Sequence, residues 1–230
     1  MKNLSVLVPF YNEEATLEIS IKRLIDCNIA EKIILINDCS TDNSLEIANN
    51  LVKKYEFLEL ISCKENVGKG GAVKNVLSYV DSDFLIIHDA DLEYDPKDIT
   101  KLLKKANEQK SKSLIILGSR FIDNLKRNNI YLRTYIANKF LSFLFSVTNK
   151  KKVTDIATCY KLLPKAIYKN ISLEKNGFDF EVEILSKSLK LADSHFEIPI
   201  SYNGRSYSEG KKIKFTDGVK YIICILKFKV

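Results

Sequence analysis

The chain has 230 residues, 36 basic and 29 acidic side chains, a formal charge of +7 and a hydrophobic fraction of 46%. That length holds one substantial α/β domain, and the basic balance points to an anionic partner such as nucleic acid, a lipid headgroup or a phosphorylated substrate. Five cysteines without a CxxC pair and only two histidines argue against a thiolate–imidazole zinc site and for reduced thiols in a cytoplasmic setting.

Residues 4–8 read as a first buried strand, which Pro9 is expected to end because it brings no amide hydrogen to a central ladder. The apolar part of residues 1–9 is too short for a signal peptide. Tyr11-Asn12-Glu13-Glu14 opens a helix with an apolar stripe at Leu17, Ile21, Leu24 and Ile25. Residues 32–38 form a second strand ending in an acid. A turn rich in capping residues and a helix from Ser44 to about Lys54 follow. Residues 58–62 make a third strand, and the glycine stretch at 66–72 opens another helix. The apolar run Phe84-Leu85-Ile86-Ile87 ends abruptly in His88-Asp89-Ala90-Asp91. A helix begins near Pro96, and residues 114–120 form a further strand. Strands alternating with helices predict a mostly parallel, Rossmann-like sheet flanked by helices.

After Arg120 the character changes. Lysines and arginines bracket an apolar, aromatic segment from Ile130 to Phe145, and residues 215–230 read as an amphipathic helix. Either these helices pack on the core, or one apolar face meets a lipid surface whose anionic headgroups the basic residues touch. No uninterrupted apolar stretch reaches spanning length, so the chain is expected to be soluble or to lie on a membrane surface. The positive charge sits beside these aromatic helices and forms no recognition motif, so nucleic acid is not expected as a partner.

Asp89 and Asp91 carry the chemistry. At an extended strand end, residues two apart point the same way, so both carboxylates can share one hard cation such as Mg²⁺ or Mn²⁺. An Asp-x-Asp alone is also compatible with a plain acidic turn. The Gly68-Lys69-Gly70-Gly71 stretch either lets backbone amides and Lys69 approach phosphate or is an ordinary turn. Asp38 and Asp42 either serve a site or cap the next helix, and Asp155 has the same N-cap alternative. His88 reads as a half-buried packing residue and Cys159 as packing. Lys150, Lys151 and Lys152 read as a solvated face.

Taken together and in order, Val8-Pro9-Phe10-Tyr11-Asn12-Glu13, Asn37-Asp38-Cys39-Ser40-Thr41-Asp42, Asn66-Val67-Gly68-Lys69-Gly70 and Asp89-Ala90-Asp91-Leu92-Glu93-Tyr94-Asp95-Pro96 resemble the family 2 inverting glycosyltransferases. Gly118-Ser119-Arg120-Phe121, Thr154-Asp155-Ile156-Ala157-Thr158-Cys159-Tyr160-Lys161 and Gly177-Phe178-Asp179-Phe180-Glu181 narrow the likeness to the dolichyl/polyprenyl-phosphate sugar synthase branch. Two positions depart from the family pattern: Glu93, where Gln is frequent, and Cys159, which replaces a glycine.

The resemblance implies a GT-A fold as a single domain over 1–230, with a nucleotide-sugar half (1–122) and an acceptor-side half (123–230). It implies a UDP- or GDP-linked sugar donor, Mg²⁺ or Mn²⁺, and transfer to a polyprenyl phosphate at the cytoplasmic membrane face. Carried over residue by residue, Pro9, Tyr11 and Glu13 line the base pocket, Asp38 meets base or ribose, and Lys69, Asp89, Ala90 and Asp91 lie at the nucleotide. Asp89, Asp91 and Glu93 hold the metal. Arg120, Arg133 and Arg205 contact diphosphate or acceptor phosphate. Asp155 is the candidate catalytic base, with Arg120 and Glu181 supporting it. The final loop, from Ile198 to Ile213, closes over donor and acceptor. A glycan hydroxyl as acceptor, a nucleotidyltransferase and a catalytically silent membrane-surface binder remain alternatives. Oligomeric state has no signature in the sequence.

Overall fold

In the computed structural model, described over residues 3–109, 111–123, 127–129, 131–205 and 215–229, the Val-, Ile- and Leu-rich runs form strands buried on both faces, as parallel strands between two helix layers must be. The first half is β1 (Leu4–Phe10), α1 (Leu17–Asp26), β2 (Lys32–Asn37), α2 (Ser44–Lys54), β3 (Leu58–Ser62), α3 (Lys69–Leu77), β4 (Phe84–Ile87), α4 (Lys97–Asn107) and β5 (Leu114–Ser119). The second half adds β6 (Arg127–Asn128), α5 (Leu132–Asn149), β7 (Lys161–Pro164), α6 (Lys165–Tyr168), α7 (Phe180–Leu191), β8 (Ser194–Pro199), β9 (Tyr202–Asn203) and α8 (Phe215–Lys227).

Seven strands share one sheet in the order β3-β2-β1-β4-β7-β5-β8. The pairs are parallel except at β7, which lies antiparallel between β4 and β5. Strands from both halves of the sequence therefore alternate within a single sheet. The short strands β6 and β9 pair separately. One face of the sheet packs residues such as Leu7, Ile36 and Leu85 against Ala72, Phe145, Phe180 and Ile225, from α3, α5, α7 and α8. The other packs Val6, Leu35 and Ile86 against Leu17, Ile21, Ala48 and Leu102, from α1, α2 and α4.

Two expectations are corrected. Pro9 does not end β1, which continues to Phe10. The carbonyl of Leu7 accepts from the His88 amide on the β4 side, and that of Phe10 accepts from the Asp38 amide on the β2 side. Alternation points the missing amide hydrogen of Pro9 toward β4, which has already ended at Ile87, so no ladder bond is lost. Asp89 and Asp91 likewise do not lie on an extended strand end. They sit in a turn beyond β4, followed by Leu92 at φ 63°.

Of the two alternatives for the aromatic segment, core packing is seen on one side of each helix, and the other side is exposed. α5 buries Asn138, Leu141, Ser142, Phe145 and Asn149 against the core. Its opposite side exposes Leu132 (71%), Ile136, Phe140, Phe143 (67%) and Val147, spaced four, four, three and four residues apart along one stripe. α8 repeats the pattern, burying Tyr221, Cys224 and Ile225 while exposing Val219, Ile223 and Leu226. Residues 206–213 of the expected closing loop lie outside the described residues.

Candidate active site

Parallel strands all finish on one edge, which gathers the loops after β1, β2, β4 and β5 around a common crevice. A cavity of about 710 Å³ lies there, lined by Pro9, Tyr11, Glu13, Asp38, Lys69, Asp89, Ala90, Asp91, Glu93, Arg120, Arg133, Glu181 and Arg205. The structure thus brings together every residue expected at the site except Asp155, which lies behind Arg120. The cavity continues between α5 and α8, where Ala137, Phe140, Leu141, Val219 and Ile222 give it an apolar end.

The carboxylates at its floor are held by cations. Lys69 Nζ lies 2.6 Å from Asp89 Oδ1 and 2.8 Å from Glu181 Oε1, and Lys161 Nζ reaches Glu181 Oε2 at 2.5 Å. Burial opposes charge on both Lys69 and Asp89. Their mutual attraction outweighs it, raising the Lys69 pKa well above its ordinary value and lowering that of Asp89. Arg205 reaches Glu13 through Nη1 (3.0 Å) and Nη2 (3.2 Å), and Nη2 also reaches Asp91 at 3.3 Å. Arg133, at the start of α5, is exposed on the cavity wall.

Burial, with Asp89 and Glu93 close by, pushes the Asp91 carboxyl up to about 8. The turn stays crowded with acids even with Lys69 and Arg205 beside it, and oxygen donors suit a hard cation such as Mg²⁺ or Mn²⁺. Among the described residues no set of three or more His, Cys, Asp or Glu side chains is arranged as a metal cage. Asp89 and Asp91 therefore fit a divalent cation that completes its shell from a bound diphosphate and water. Glu93 Oε2 accepts from the Tyr202 hydroxyl at 2.6 Å and its Oε1 from the Arg205 amide at 2.7 Å, which braces the Asp91 turn against β9.

Arg120 follows β5 and turns back onto Asp155. Its Nε donates to Oδ2 at 2.7 Å, its Nη2 donates to Oδ1 at 2.8 Å, and its backbone amide also donates to Oδ2. Asn138 Nδ2 adds a fourth donor to Oδ1 at 3.2 Å. Asp155 is 0% exposed. Burial would raise its pKa, but Arg120 more than compensates and holds it below the usual carboxylate value. A carboxylate so enclosed and so fully hydrogen-bonded has no oxygen free for a substrate proton. In this geometry Asp155 anchors Arg120. The rings of Tyr202, Phe121 and Tyr94 pack around the guanidinium, with centroids 4.8, 5.4 and 5.9 Å away.

Asp38 lines the cavity, but its two oxygens accept from the amides of Val67 and Gly68, each at 2.8 Å. It fastens the glycine loop onto the end of β2. Gly68 has φ +81°, and a Cβ there would lie 2.6 Å from the Asn176 carbonyl, so only glycine fits. Asp42 sits one residue before the Asn43 N-cap of α2 and accepts from the amides of Ser44 and Glu14, tying the start of α2 to the loop after β1. His88 is buried outright, not half-buried, between Ser20 and the Tyr160 hydroxyl. Desolvation lowers its pKa to about 4, which keeps it neutral.

Sequence reasoning gave no role to Asn138, Lys161, Tyr94 or Tyr202. For Asn138 a signal was present: Asn138, Ser142, Ser146 and Asn149 form a polar stripe at helical spacing inside an apolar segment. Most of the aromatic wall around Arg120 has no local signal, because Tyr94 comes from beyond β4 and Tyr202 from β9, and only Phe121 is its neighbour in sequence.

A sheet of this order, flanked by helices on both faces, matches the GT-A fold. Glucosyl-3-phosphoglycerate synthase from Mycobacterium tuberculosis, solved in complex with UDP, superposes with a TM-score of 0.74 at 15% identity, covering 99% of this chain and 80% of that one. The same enzyme solved with Mn²⁺, UDP and glucosyl-3-phosphoglycerate gives a TM-score of 0.70, also at 15% identity and with the same coverage. At that identity the likeness is one of fold. Residues 5–172 match glycosyl transferase family 2, and the chain belongs to that family.

Its curated relatives include a dolichol-phosphate mannosyltransferase of Pyrococcus furiosus, 27% identical over 216 residues, which cover 91% of this chain and 60% of the relative. They also include a dolichyl-phosphate beta-glucosyltransferase, ALG5A, of Trichomonas vaginalis, 26% identical over 251 residues, covering 99% of this chain and 73% of the relative. The chain thus spans less than two thirds of the archaeal relative's length.

Proposed function

We propose that this chain is a metal-dependent inverting glycosyltransferase that moves a sugar from a UDP- or GDP-linked donor to a polyprenyl phosphate at the cytoplasmic face of a membrane. The observation that carries the reading is the course of the cavity: acids and cations at one end, and an apolar end between α5 and α8 at the other. The exposed stripes of the same two helices continue that apolar surface outward. Exposed Arg133 and Lys220 beside the stripes suit anionic headgroups. Among the described residues no helix is long and apolar enough to cross a membrane, so surface contact is the mode this geometry favours.

A lipid phosphate oxygen attacks the anomeric carbon from the face opposite the diphosphate. The bond to the diphosphate breaks with its electron pair going to the nucleoside diphosphate, so the sugar inverts. Asp89 and Asp91 would hold a divalent cation, and its charge would offset that of the leaving diphosphate. Arg120 has Nε and Nη2 committed to Asp155, which directs the rest of its guanidinium to developing negative charge in the cavity. Lys69, fixed between Asp89 and Glu181, and Arg205 add to this field. A phosphate nucleophile is already anionic and requires no base, in keeping with an enclosed Asp155.

The test is transfer from a panel of UDP- and GDP-sugars, with Mn²⁺ or Mg²⁺, to undecaprenyl phosphate in detergent, beside parallel reactions with 3-phosphoglycerate and with oligosaccharides. Sugar appearing on the lipid phosphate supports the proposal. Product only on 3-phosphoglycerate or only on a sugar hydroxyl would sink it.

A further inference from the structure

α5 carries two faces with different duties. Its outer face is the apolar stripe of Leu132, Ile136, Phe140, Phe143 and Val147. Its inner edge is the polar row noted above, and that row grips the segment that holds Arg120. Ser146 Oγ donates to the Val153 carbonyl and accepts from the Val153 amide. Ser142 Oγ accepts from the Ile156 amide and donates to Asn138 Oδ1 at 3.1 Å. Asn138 Nδ2 then donates to Asp155 Oδ1, the oxygen that also takes Arg120 Nη2. The chain of contacts runs from α5 through Asn138 and Asp155 to Arg120 at the cavity wall.

We propose that Asn138 is a positioning residue for the transfer: by bonding Asp155 it fixes the angle at which Arg120 enters the cavity, and it ties that angle to the placement of α5. The bonding arithmetic favours a specific role. Asp155 Oδ2 already takes two donors from Arg120, whereas Oδ1 takes one from Arg120 and one from Asn138. Without the Asn138 amide, Oδ1 has a free lone pair beside the cavity that Asn138 itself lines. The carboxylate then keeps only its three bonds from Arg120, and a bidentate pair tolerates little rotation before one arm lengthens. The other side of the segment is already fixed, because the Thr154 amide and hydroxyl both donate to Glu197 Oε1. The adjustable contact is therefore the one from α5.

The inference rests on the proposed reaction for its kinetic consequence, but its structural part does not, and the experiment separates the two. Asn138→Leu keeps the volume and removes the amide donor. Ser142→Ala removes only the hydroxyl that orients the Asn138 amide. The arginine Nε–H resonance of Arg120 is followed by NMR in the protein and both variants, and single-turnover transfer from UDP-glucose and GDP-mannose to undecaprenyl phosphate is measured beside it.

The expected result is a displaced and faster-exchanging Arg120 signal in both variants, smaller in Ser142→Ala. In Asn138→Leu, kcat is expected to fall about tenfold, as for loss of one hydrogen bond to a charged group, with donor KM shifting less than about twofold. An Arg120 signal unchanged in both variants, or a loss confined to KM, would overturn the proposal. A shifted signal in a protein with no lipid transfer would leave the positioning role standing and remove the acceptor reading instead.

Discussion

Arg120 and Asp155 meet edge to edge, with two parallel side-chain bonds of 2.7 and 2.8 Å, the carboxylate closed to solvent and the guanidinium at the cavity wall. Neither charge has another side-chain partner of opposite sign at ion-pair distance among the described residues. Removing one leaves the other buried and uncompensated, which costs about 3–5 kcal/mol. Asp155→Ala is therefore expected to lower unfolding free energy by that amount in urea titrations. Asp155→Asn, which can still accept from Nε, is expected to lose less and to keep residual transfer. Complete loss of turnover in a fully folded Asp155→Asn protein would restore the carboxylate to a chemical role.

Asp91→Asn removes one carboxylate from a crowded turn while keeping its shape. Calorimetric titration of UDP or GDP in the presence of Mn²⁺ is expected to show a loss of at least about tenfold in affinity, as for a lost cation ligand. Titration without metal is expected to change little. Chelation of the unmodified protein should reproduce the variant's behaviour.

The stripes on α5 and α8 predict surface binding that is separable from stability. Phe143 is exposed and does not line the cavity. Phe143→Glu is expected to change unfolding free energy by no more than about 0.5 kcal/mol. The same change places a charge in the interfacial face, so co-sedimentation with anionic vesicles is expected to fall about tenfold or more.

Gly68→Ala tests the loop that Asp38 fastens. Both the positive φ and the 2.6 Å approach of a Cβ to the Asn176 carbonyl oppose it. A destabilisation of roughly 1–3 kcal/mol is expected, with a loss of nucleotide affinity because the loop must shift away from the cavity it lines.

A pH effect follows from Glu174, which binds Lys227 of α8 at 2.6 Å and Lys187 of α7 at 3.1 Å. The hydrogen bonds from Lys227 and then Lys187 lower its pKa from 4.5 to about 2. A depressed acid stabilises the fold above its unfolded pKa and loses that contribution as pH falls through the folded value. The attachment of α8 should therefore weaken between about pH 4.5 and pH 2, and Glu174→Gln should remove that part of the acid dependence. Tyrosine fluorescence and far-UV circular dichroism during acid titration would show it.

Much of this was legible in the sequence where the signal is local. Strands β1 to β5 announce themselves as short apolar runs, and the acids beyond β2 and β4 mark their C-terminal ends. Pro9 misled because its cost depends on which neighbour its nitrogen faces, and that neighbour, β4, begins some seventy residues later. The number of bonds on Asp155 was hidden for the same reason: its partners Arg120 and Asn138 come from a different strand and a helix. Glu93 was read as a ligand from its place in a motif, whereas Tyr202 and the Arg205 amide, from the far end of the chain, decide what its oxygens do. Motif spacing picked out residues that line one cavity, and long-range hydrogen bonding sets their contacts within it.

The antiparallel β7 has a consequence for how the molecule is made. β4 and β5 are never neighbours; both pair with β7, which leaves the ribosome roughly seventy residues after β4 does. Until then the nascent chain carries β1 to β4 with the edge of β4 unpaired, for several seconds at ordinary elongation rates. That apolar edge is a ready template for mispairing with another nascent chain. Biogenesis of this enzyme thus has a built-in vulnerable interval, which closes only when residues 161–164 slide between the two waiting strands.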